Sequence, residues 1–299
     1  MCLIILLIII LLPAVLSIAL LTLLERKVLG YIQLRKGPNK VAIVGIAQPL
    51  ADVIKLFTKE QMTPSLSNPT IFYIGPIMGL LLALLIWSFA PSKWPNFIIS
   101  VTAIVFLTIS SINVYATLIS GWASNSKYAL LGRLRAIAQT ISYEVSMALI
   151  MLSALTLSQN LELNSIIRQK LLIMLLFSPL AVIWFITCVA ETNRTPLDLA
   201  EGESEIVSGL NVEYRATPLA LIFIAEYINI IFIGLVTSAI LTGLLHPILL
   251  TAIVLVLNFV LIWLRGTLPR IRYDILIRLT WKSFLPLSLT TFTLALIIV

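Results

Sequence analysis

Charge, cysteine and histidine are all scarce in this chain of 299 residues. Only 11% of the residues are charged and 60% are hydrophobic, whereas soluble domains carry about a quarter charged residues. This scarcity of charge excludes an ordinary soluble protein and indicates a polytopic membrane protein. Two cysteines, Cys2 and Cys188, and one histidine, His246, lie far apart in the sequence. They cannot supply an iron–sulfur cluster, a bis-histidine haem or an ordinary zinc site, so we expect any redox centre to lie in a partner.

The chain also lacks the signatures of several function classes. It contains no nucleophilic triad, Walker loop, dinucleotide fingerprint or nucleic-acid module. Its formal net charge of +7 could suggest a nucleic-acid partner. We reject that interpretation because the basic residues cluster at the ends of apolar segments, where they act as orientation signals. The two cysteines indicate no disulfide framework.

Long apolar runs are abundant, and each is close to the ~20 helical residues that cross the hydrocarbon core. The sequence therefore predicts an all-α, polytopic membrane protein with one transmembrane domain, residues 1–299. The first run lacks a preceding basic segment and is too long for the apolar part of a cleavable signal, so we expect it to be a span. The absence of a presequence suits a protein that is made in the compartment where it inserts. The eight predicted spans are 2–24, 70–90, 97–119, 136–158, 171–190, 217–240, 247–264 and 280–299.

The basic residues predict how the spans are oriented. Together with Lys282, the loops 25–69, 120–135, 191–216 and 265–279 hold seventeen of the twenty lysines and arginines. Only Lys93, Arg168 and Lys170 fall on the other side. This asymmetry places the four basic loops in the cytoplasm, or in the matrix of a mitochondrion, and both termini on the opposite face. We expect a partner domain to dock on the side of these long loops.

A short helix is predicted inside the first long loop, beginning near Pro49. Within residues 48–59, the polar side chains recur at helical spacing and apolar side chains cover the rest of the surface. This pattern is typical of an amphipathic helix at the membrane interface, with its polar stripe toward water or a partner. An ordinary surface anchor is the simpler alternative. The polar stripe consists of Gln48, Asp52, Lys55 and Lys59.

Acidic residues are concentrated between residues 191 and 214, which hold six of the thirteen carboxylates. A loop that only joined two helices would not need them, so this loop binds cations, docks a basic partner or handles protons. Its spacing does not fit an EF-hand, and we predict no metal site there. The six residues are Glu191, Asp198, Glu201, Glu203, Glu205 and Glu213.

Two further acids, Glu144 and Glu226, lie within predicted spans. Each is about eight residues past the start of its span on the basic side, which places both carboxyls ~12 Å below the same surface. Intramembrane acids usually mark ion or proton paths. The alternative is a structural role, in which polar neighbours such as Gln139 and Tyr143, or Tyr227 and Asn229, satisfy each acid. Glu191 ends the fifth span on the same side and would lie at the mouth of such a path.

Several strings in the sequence resemble one known family. They are ERKVLGYIQLRKGPNKV at 25–41, QPLADVIKLFTKE at 48–60, and AETNRTPLDLAEGESEIVSGLNVEY at 190–214 with AEY at 225–227. They closely resemble subunit 1 of the membrane arm of NADH:ubiquinone oxidoreductase, respiratory complex I, from about residue 22 to the last span. The compact length and hydrophobic start look like the mitochondrially encoded type. One departure is Arg215, where many relatives carry a glycine or another small residue.

The resemblance implies a subunit at the junction of the membrane and hydrophilic arms, in the mitochondrial inner membrane. Such a subunit has eight spans, contacts membrane lipid and forms much of the chamber through which ubiquinone, the substrate, reaches the terminal iron–sulfur cluster. That cluster, the other clusters, FMN and NADH belong to partner subunits, and no cofactor is bound covalently to this chain. The implied partners are the other membrane subunits of the complex and the quinone-site subunits of the hydrophilic arm.

The resemblance also assigns roles to individual residues. Seven acids match an acidic path that links quinone chemistry to the proton channels of other subunits: Glu144, Glu191, Glu226, Asp198, Glu201, Glu203 and Glu205. Four residues fall at positions that border the quinone entrance or chamber: Arg26, Arg35, Asp52 and Phe223. By position alone, the basic residues near Arg26 and Arg35 have a simpler interpretation as stop-transfer charges.

Two other classes of function are compatible with these acids. A secondary transporter or ion channel would work without partners and would normally show an inverted repeat, and the sequence shows no repeat. A structural anchor for a redox complex would tolerate glutamine at the intramembrane acids. A membrane subunit of an energy-converting hydrogenase is a near neighbour of the family, but the size of the chain disfavours it.

Overall fold

The computed structural model describes residues 2–91, 101–164, 178–198, 213–242 and 247–298. Within these ranges the chain folds into helices and turns and contains no strand, which confirms the all-helical prediction for this part. The helices are α1 (Cys2–Ile32), α2 (Gln48–Thr58), α3 (Pro69–Ser88), α4 (Thr102–Ala123), α5 (Lys127–Ser158), α6 (Ser178–Glu191), α7 (Ala216–Thr242), α8 (Pro247–Thr267), α9 (Tyr273–Leu279) and α10 (Leu285–Ile298).

Six helical segments of the described chain are long and apolar enough to cross a membrane. Helix α1, with 31 residues, covers the first predicted span. Helix α6, with 14 residues, covers only part of the fifth, because residues 171–177 lie outside the described ranges. The count of eight spans therefore stays a prediction. The six segments are Pro69–Ser88, Thr102–Ala123, Lys127–Ser158, Ala216–Ile240, Ile248–Thr267 and Tyr273–Ile298.

Helix α5 begins at Lys127 rather than at residue 136, so most of the stretch predicted as loop 120–135 is helical. The predicted span 136–158 lies inside α5, and the helix extends beyond it because a helix need not end where the hydrocarbon core ends. Arg133 is buried in the structure. Its side chain fits because Gly121 has none: a Cβ atom at Gly121 would lie 2.5 Å from Cγ of Arg133.

The last helical segment begins at Tyr273 rather than at 280, and its middle, Thr280–Phe284, is a π-helical turn. Pro286 explains the wider turn. Proline has no N–H to donate, and its ring clashes with the carbonyl four residues earlier in a regular α-helix. The π turn moves that carbonyl aside and lets the helix continue through α10.

Helix α3 packs against both α4 and α7, and this pair of contacts supports the centre of the bundle. The crossing of α3 and α4 is close because Gly75 faces Ser120, and small residues allow such an approach in membrane proteins. Tyr214 holds the same crossing from the end of the acidic loop. Its ring stacks on Phe72 at 4.1 Å, and its hydroxyl donates to the carbonyl oxygen of Ser120 at 2.9 Å.

Helix α2 lies where the sequence predicts a short helix, and it packs against α1 and α7. Pro49 in its first turn is buried, whereas Ile54 and Phe57 are exposed. Asp52, which belongs to the predicted polar stripe, faces α1 through an ion pair rather than facing away from the protein. The position of α2 at a membrane interface stays a prediction.

Candidate functional site

A cavity of about 480 Å³ lies between α1, α2 and α7. Its volume falls within the range of roughly 300–1,000 Å³ that is usual for small-molecule sites. Most of its wall is apolar, with side chains such as Leu16, Val53 and Phe223. The polar and charged groups at its wall are Thr22, Arg26, Asp52, Arg194, Glu226, Tyr227 and Arg265. The cavity can therefore accept a largely apolar molecule that carries polar atoms at one end.

An ion pair between Arg26 and Asp52 joins α1 to α2 at the wall of this cavity. Gln48 holds the other carboxylate oxygen of Asp52 with a hydrogen bond of 3.0 Å from its amide nitrogen. The side chains of Arg26 and Asp52 are 54% and 32% exposed. Such an exposed pair adds little to stability, about 0–1 kcal/mol. Its main consequence is to place one positive and one negative group beside the cavity.

A second group of charges surrounds Glu25, which is buried with only 5% of its surface exposed. One oxygen of its carboxylate accepts hydrogen bonds from Arg265 and, at 2.9 Å, from Nη1 of Arg194. The other oxygen accepts a hydrogen bond of 2.5 Å from the hydroxyl of Tyr227. We call these four residues the Glu25 cluster. It ties α1 to α7, to α8 and to the turn that follows α6.

Within the Glu25 cluster, the guanidinium of Arg194 lies 4.6 Å from the centroid of the Tyr227 ring, a cation–π distance. Burial lowers the pKa of Arg194, but the carboxylate of Glu25 outweighs this effect and raises the pKa above its usual value. Arg194 also interacts electrostatically with Glu226. Arg194 therefore stays positively charged, and it connects the Glu25 cluster with the acid at the cavity wall.

Four residues predicted from the sequence are brought together at this cavity: Arg26, Asp52, Phe223 and Glu226. Arg35 is not among its lining residues. It is exposed beyond the end of α1, where its Nε donates to the side-chain oxygen of Gln33 at 2.8 Å. The structure thus places three of the four predicted quinone residues around one cavity and the fourth outside it.

The remaining predicted acids lie away from the large cavity. Glu191 ends α6 and borders a small cavity of about 20 Å³. Glu144 is half-buried in α5, and its charge acts on Glu191. Asp198 is buried and pairs with Arg270, with Nη2 and Oδ2 3.4 Å apart. The predicted acids Glu201, Glu203 and Glu205 lie outside the described residues.

Two of the polar neighbours proposed as structural partners of the intramembrane acids, Gln139 and Tyr227, bond elsewhere. The amide of Gln139 donates to the carbonyl oxygens of Ala190 and Leu197 at 3.1 and 2.7 Å. Tyr227 donates to Glu25. No hydrogen bond reaches Glu144 from any described residue. A purely structural role for Glu144 therefore has no support from these neighbours.

The Glu25 cluster is absent from the sequence-based predictions. Its members lie between 169 and 240 positions from Glu25 along the chain, so no local pattern brings them together. One signal was present, because Glu25 is an acid placed directly at the end of a long apolar run.

Among the described residues, no group of three histidine, cysteine or acidic side chains is arranged to hold a metal ion.

Comparisons with known proteins agree on one family. A family model described as NADH dehydrogenase matches residues 5–296. The chain is 53% identical over 276 residues to NADH-ubiquinone oxidoreductase chain 1 of Aedes aegypti, covering 91% of this chain and 88% of that protein. It is 50% identical over 288 residues to the protein of the same name from Balaenoptera physalus, covering 93% and 91%. The protein of that name from Lampetra fluviatilis is 49% identical over 300 residues, covering 96% and 93%.

Proposed function

The chain belongs to the NADH dehydrogenase family and is a subunit of the H⁺-translocating NADH:ubiquinone oxidoreductase, and from this premise we propose that the cavity between α1, α2 and α7 forms part of the quinone chamber. The resemblance seen in the sequence is thereby confirmed. The apolar helices fit a subunit that crosses the mitochondrial inner membrane several times. The observation that carries the proposal is the cavity itself, in which an apolar wall meets a set of charged groups.

The chemistry of ubiquinone supports this assignment. Its isoprenoid tail is apolar and suits the side chains from α1, α2 and α7. Its head group has two carbonyl oxygens, and reduction adds two electrons and two protons to give the quinol. The electrons come from NADH through the iron–sulfur cluster of a partner subunit. Negative charge develops on the oxygens as the electrons arrive, and fixed cations at the wall, such as Arg26 and Arg194, would stabilise it.

Proton movement is the second part of the proposed function. Glu226 borders the cavity and interacts with Arg194, so a change of charge on the quinone would act directly on Glu226. We assign Glu226, Glu191 and Glu144 to a path along which this change is passed toward the proton channels of other subunits. The loop acids Asp198, Glu201, Glu203 and Glu205 would form the mouth of that path. The loop 191–216 would be the element whose conformation responds.

The proposed orientation follows from the basic loops. The loops 25–69, 120–135, 191–216 and 265–279 face the matrix, where the hydrophilic arm docks, and both termini face the intermembrane space. This arrangement puts α2 and the Arg26–Asp52 pair on the same side as the electron donor.

A photoreactive ubiquinone analogue tests the chamber in the intact complex. After irradiation and digestion, we expect label on peptides from α1, α2 or α7, and we expect excess ubiquinone or a quinone-site inhibitor to remove it. Activity of the particle as an inhibitor-sensitive NADH:quinone reductase is the accompanying control. Label confined to other subunits, in a particle that remains active, would contradict the assignment of this cavity.

A further inference from the structure

Three cavities follow one another through the bundle and share lining residues. Glu226 borders the large cavity and also a second one of about 50 Å³ between α3, α4 and α7. Asn113 and Asn229 border this second cavity and also a third one of about 20 Å³. Glu191 borders the third cavity. The two asparagines therefore stand between the two carboxylates, and we call them the asparagine pair.

Helical spacing explains why these side chains share one side. Glu226 and Asn229 are three residues apart on α7, and neighbours at this spacing lie on the same face of a helix. Asn113 and Thr117 are four residues apart on α4 and both border the second cavity. Gly75 and Gly79 on α3 border it as well.

The asparagine pair has unused hydrogen-bonding capacity. The side-chain oxygen of Asn229 is buried and has no partner within the described chain. No hydrogen bond from the Asn113 side chain reaches another described residue either. A buried polar group without a partner costs about 1–3 kcal/mol. The side-chain oxygen of Asn229 therefore needs another partner to offset this cost.

Water is the partner that fits. To hold one water molecule, a cavity needs a volume of about 10–15 Å³ and two to four polar groups in its wall that can bond to the water. Both small cavities exceed that volume, and each has a carboxylate and the asparagine pair in its wall. The rings of Phe106 and Phe232, with centroids 5.6 Å apart, form an apolar part of the wall of the third cavity.

We propose that Asn113 and Asn229 hold a short file of water molecules that carries a proton between Glu226 and Glu191. The inference rests on the proposed acidic path and names the residues that complete it. When the carboxylic acid at one end gives its proton to the first water, each water passes one proton onward, and the last water protonates the carboxylate at the other end. One O–H bond breaks and one forms at every step, and no electrons move. The amides do not titrate, so they act as positioning residues for the water.

Asn229→Leu and Asn113→Leu, studied in the assembled complex, test this inference. Leucine has a similar size but offers no hydrogen bond, so it would exclude the water. We expect quinone reduction coupled to proton translocation to fall about a hundredfold, the low end of the usual contribution of positioned proton transfer. We expect the solvent deuterium isotope effect to increase. Asn229→Ser, which keeps a hydroxyl and leaves room for water, should recover part of the rate.

Two controls separate a proton path from a general defect. Thr108→Val makes a similar polar-to-apolar change on the exposed face of α4 and should leave both readouts unchanged. NADH oxidation by an artificial acceptor that reacts before the quinone site should stay normal in every variant. That result would show that the partner subunits are assembled and active.

Glu226→Gln, measured in parallel, distinguishes the two proposals. If Glu226→Gln slows coupled turnover while both leucine variants behave as wild type, the water file is wrong and the acidic path stands. If all three variants behave as wild type, the acidic path itself fails. A slow leucine variant with an unchanged isotope effect and no recovery in Asn229→Ser would overturn the inference by pointing to a packing defect.

Discussion

The carboxylate of Glu25 accepts a hydrogen bond of 2.5 Å from the hydroxyl of Tyr227, a residue 202 positions away along the chain. This bond links α1 to α7 directly beside the cavity, because Tyr227 adjoins Glu226 and borders the same space. Three residues of the Glu25 cluster, Arg194, Tyr227 and Arg265, are therefore also residues of the proposed chamber wall. To measure the contribution of these residues to stability separately from their contribution to quinone binding, each variant must disturb only one of the two.

Glu25→Gln should destabilise the subunit because it leaves the charges of Arg194 and Arg265 without their buried counter-ion. Breaking a buried ion pair costs about 3–5 kcal/mol, and the lower end applies here because Arg265 is 36% exposed. We expect less assembled complex on native gels and a lower melting temperature.

Tyr227→Phe is the matched control for Glu25→Gln, since it removes one hydrogen bond and leaves all three charges in place. Its expected cost is about 1.5 kcal/mol, at the low end for a hydrogen bond to a charged group. Equal melting temperatures for Glu25→Gln and wild type would show that the Glu25 cluster does not contribute to stability.

Asp52→Asn should change quinone binding with little effect on stability. Both side chains of the Arg26–Asp52 pair reach solvent, so the loss of the pair costs at most about 1 kcal/mol. The change does alter the charge at the cavity wall, and we expect the KM for a long-chain ubiquinone to rise while the complex assembles normally. Lys55→Gln, on the exposed side of α2, is the control and should keep the wild-type KM. A normal KM in Asp52→Asn would place quinone binding elsewhere.

Glu191→Gln and Glu144→Gln should each impair turnover and proton pumping while assembly survives. Neither change removes an ion pair or packing volume, and glutamine cannot take up and release a proton. Proton translocation in sealed vesicles and the rate of quinone reduction measure the effect. Glu60→Gln, an exposed acid beyond α2, should behave as wild type. A normal proton-to-electron ratio and rate in either helix variant would argue against its role in a relay.

Local patterns are sufficient to predict the helices and to single out Glu226, which borders the large cavity. Apolar runs of span length are a property of consecutive residues, and so is an acid such as Glu226 inside one of them. Charge marks the edge of the hydrocarbon core but not the end of a helix, so the sequence predicts the span 136–158 without showing that α5 already begins at Lys127. The partners of Glu25 could not be foreseen, because ion pairs across 169 and 240 positions depend on how the helices pack.

Gly75→Ala and Gly79→Ala form a final matched pair, one helical turn apart on the same side of α3. A Cβ atom at Gly75 would lie 2.9 Å from Cβ of Ser120 and 3.0 Å from its Cα and backbone nitrogen. These atoms belong mostly to the backbone of α4, so the helices must separate, at a cost of about 1–3 kcal/mol for overpacking. A Cβ atom at Gly79 meets only Cβ of Ala116 at 3.9 Å, an ordinary contact. We therefore expect Gly75→Ala to reduce the amount and melting temperature of the complex and Gly79→Ala to leave both unchanged or raised, since alanine favours helix by about 1 kcal/mol. Equal behaviour of the two variants would mean that α3 and α4 do not cross at Ser120 as closely as described.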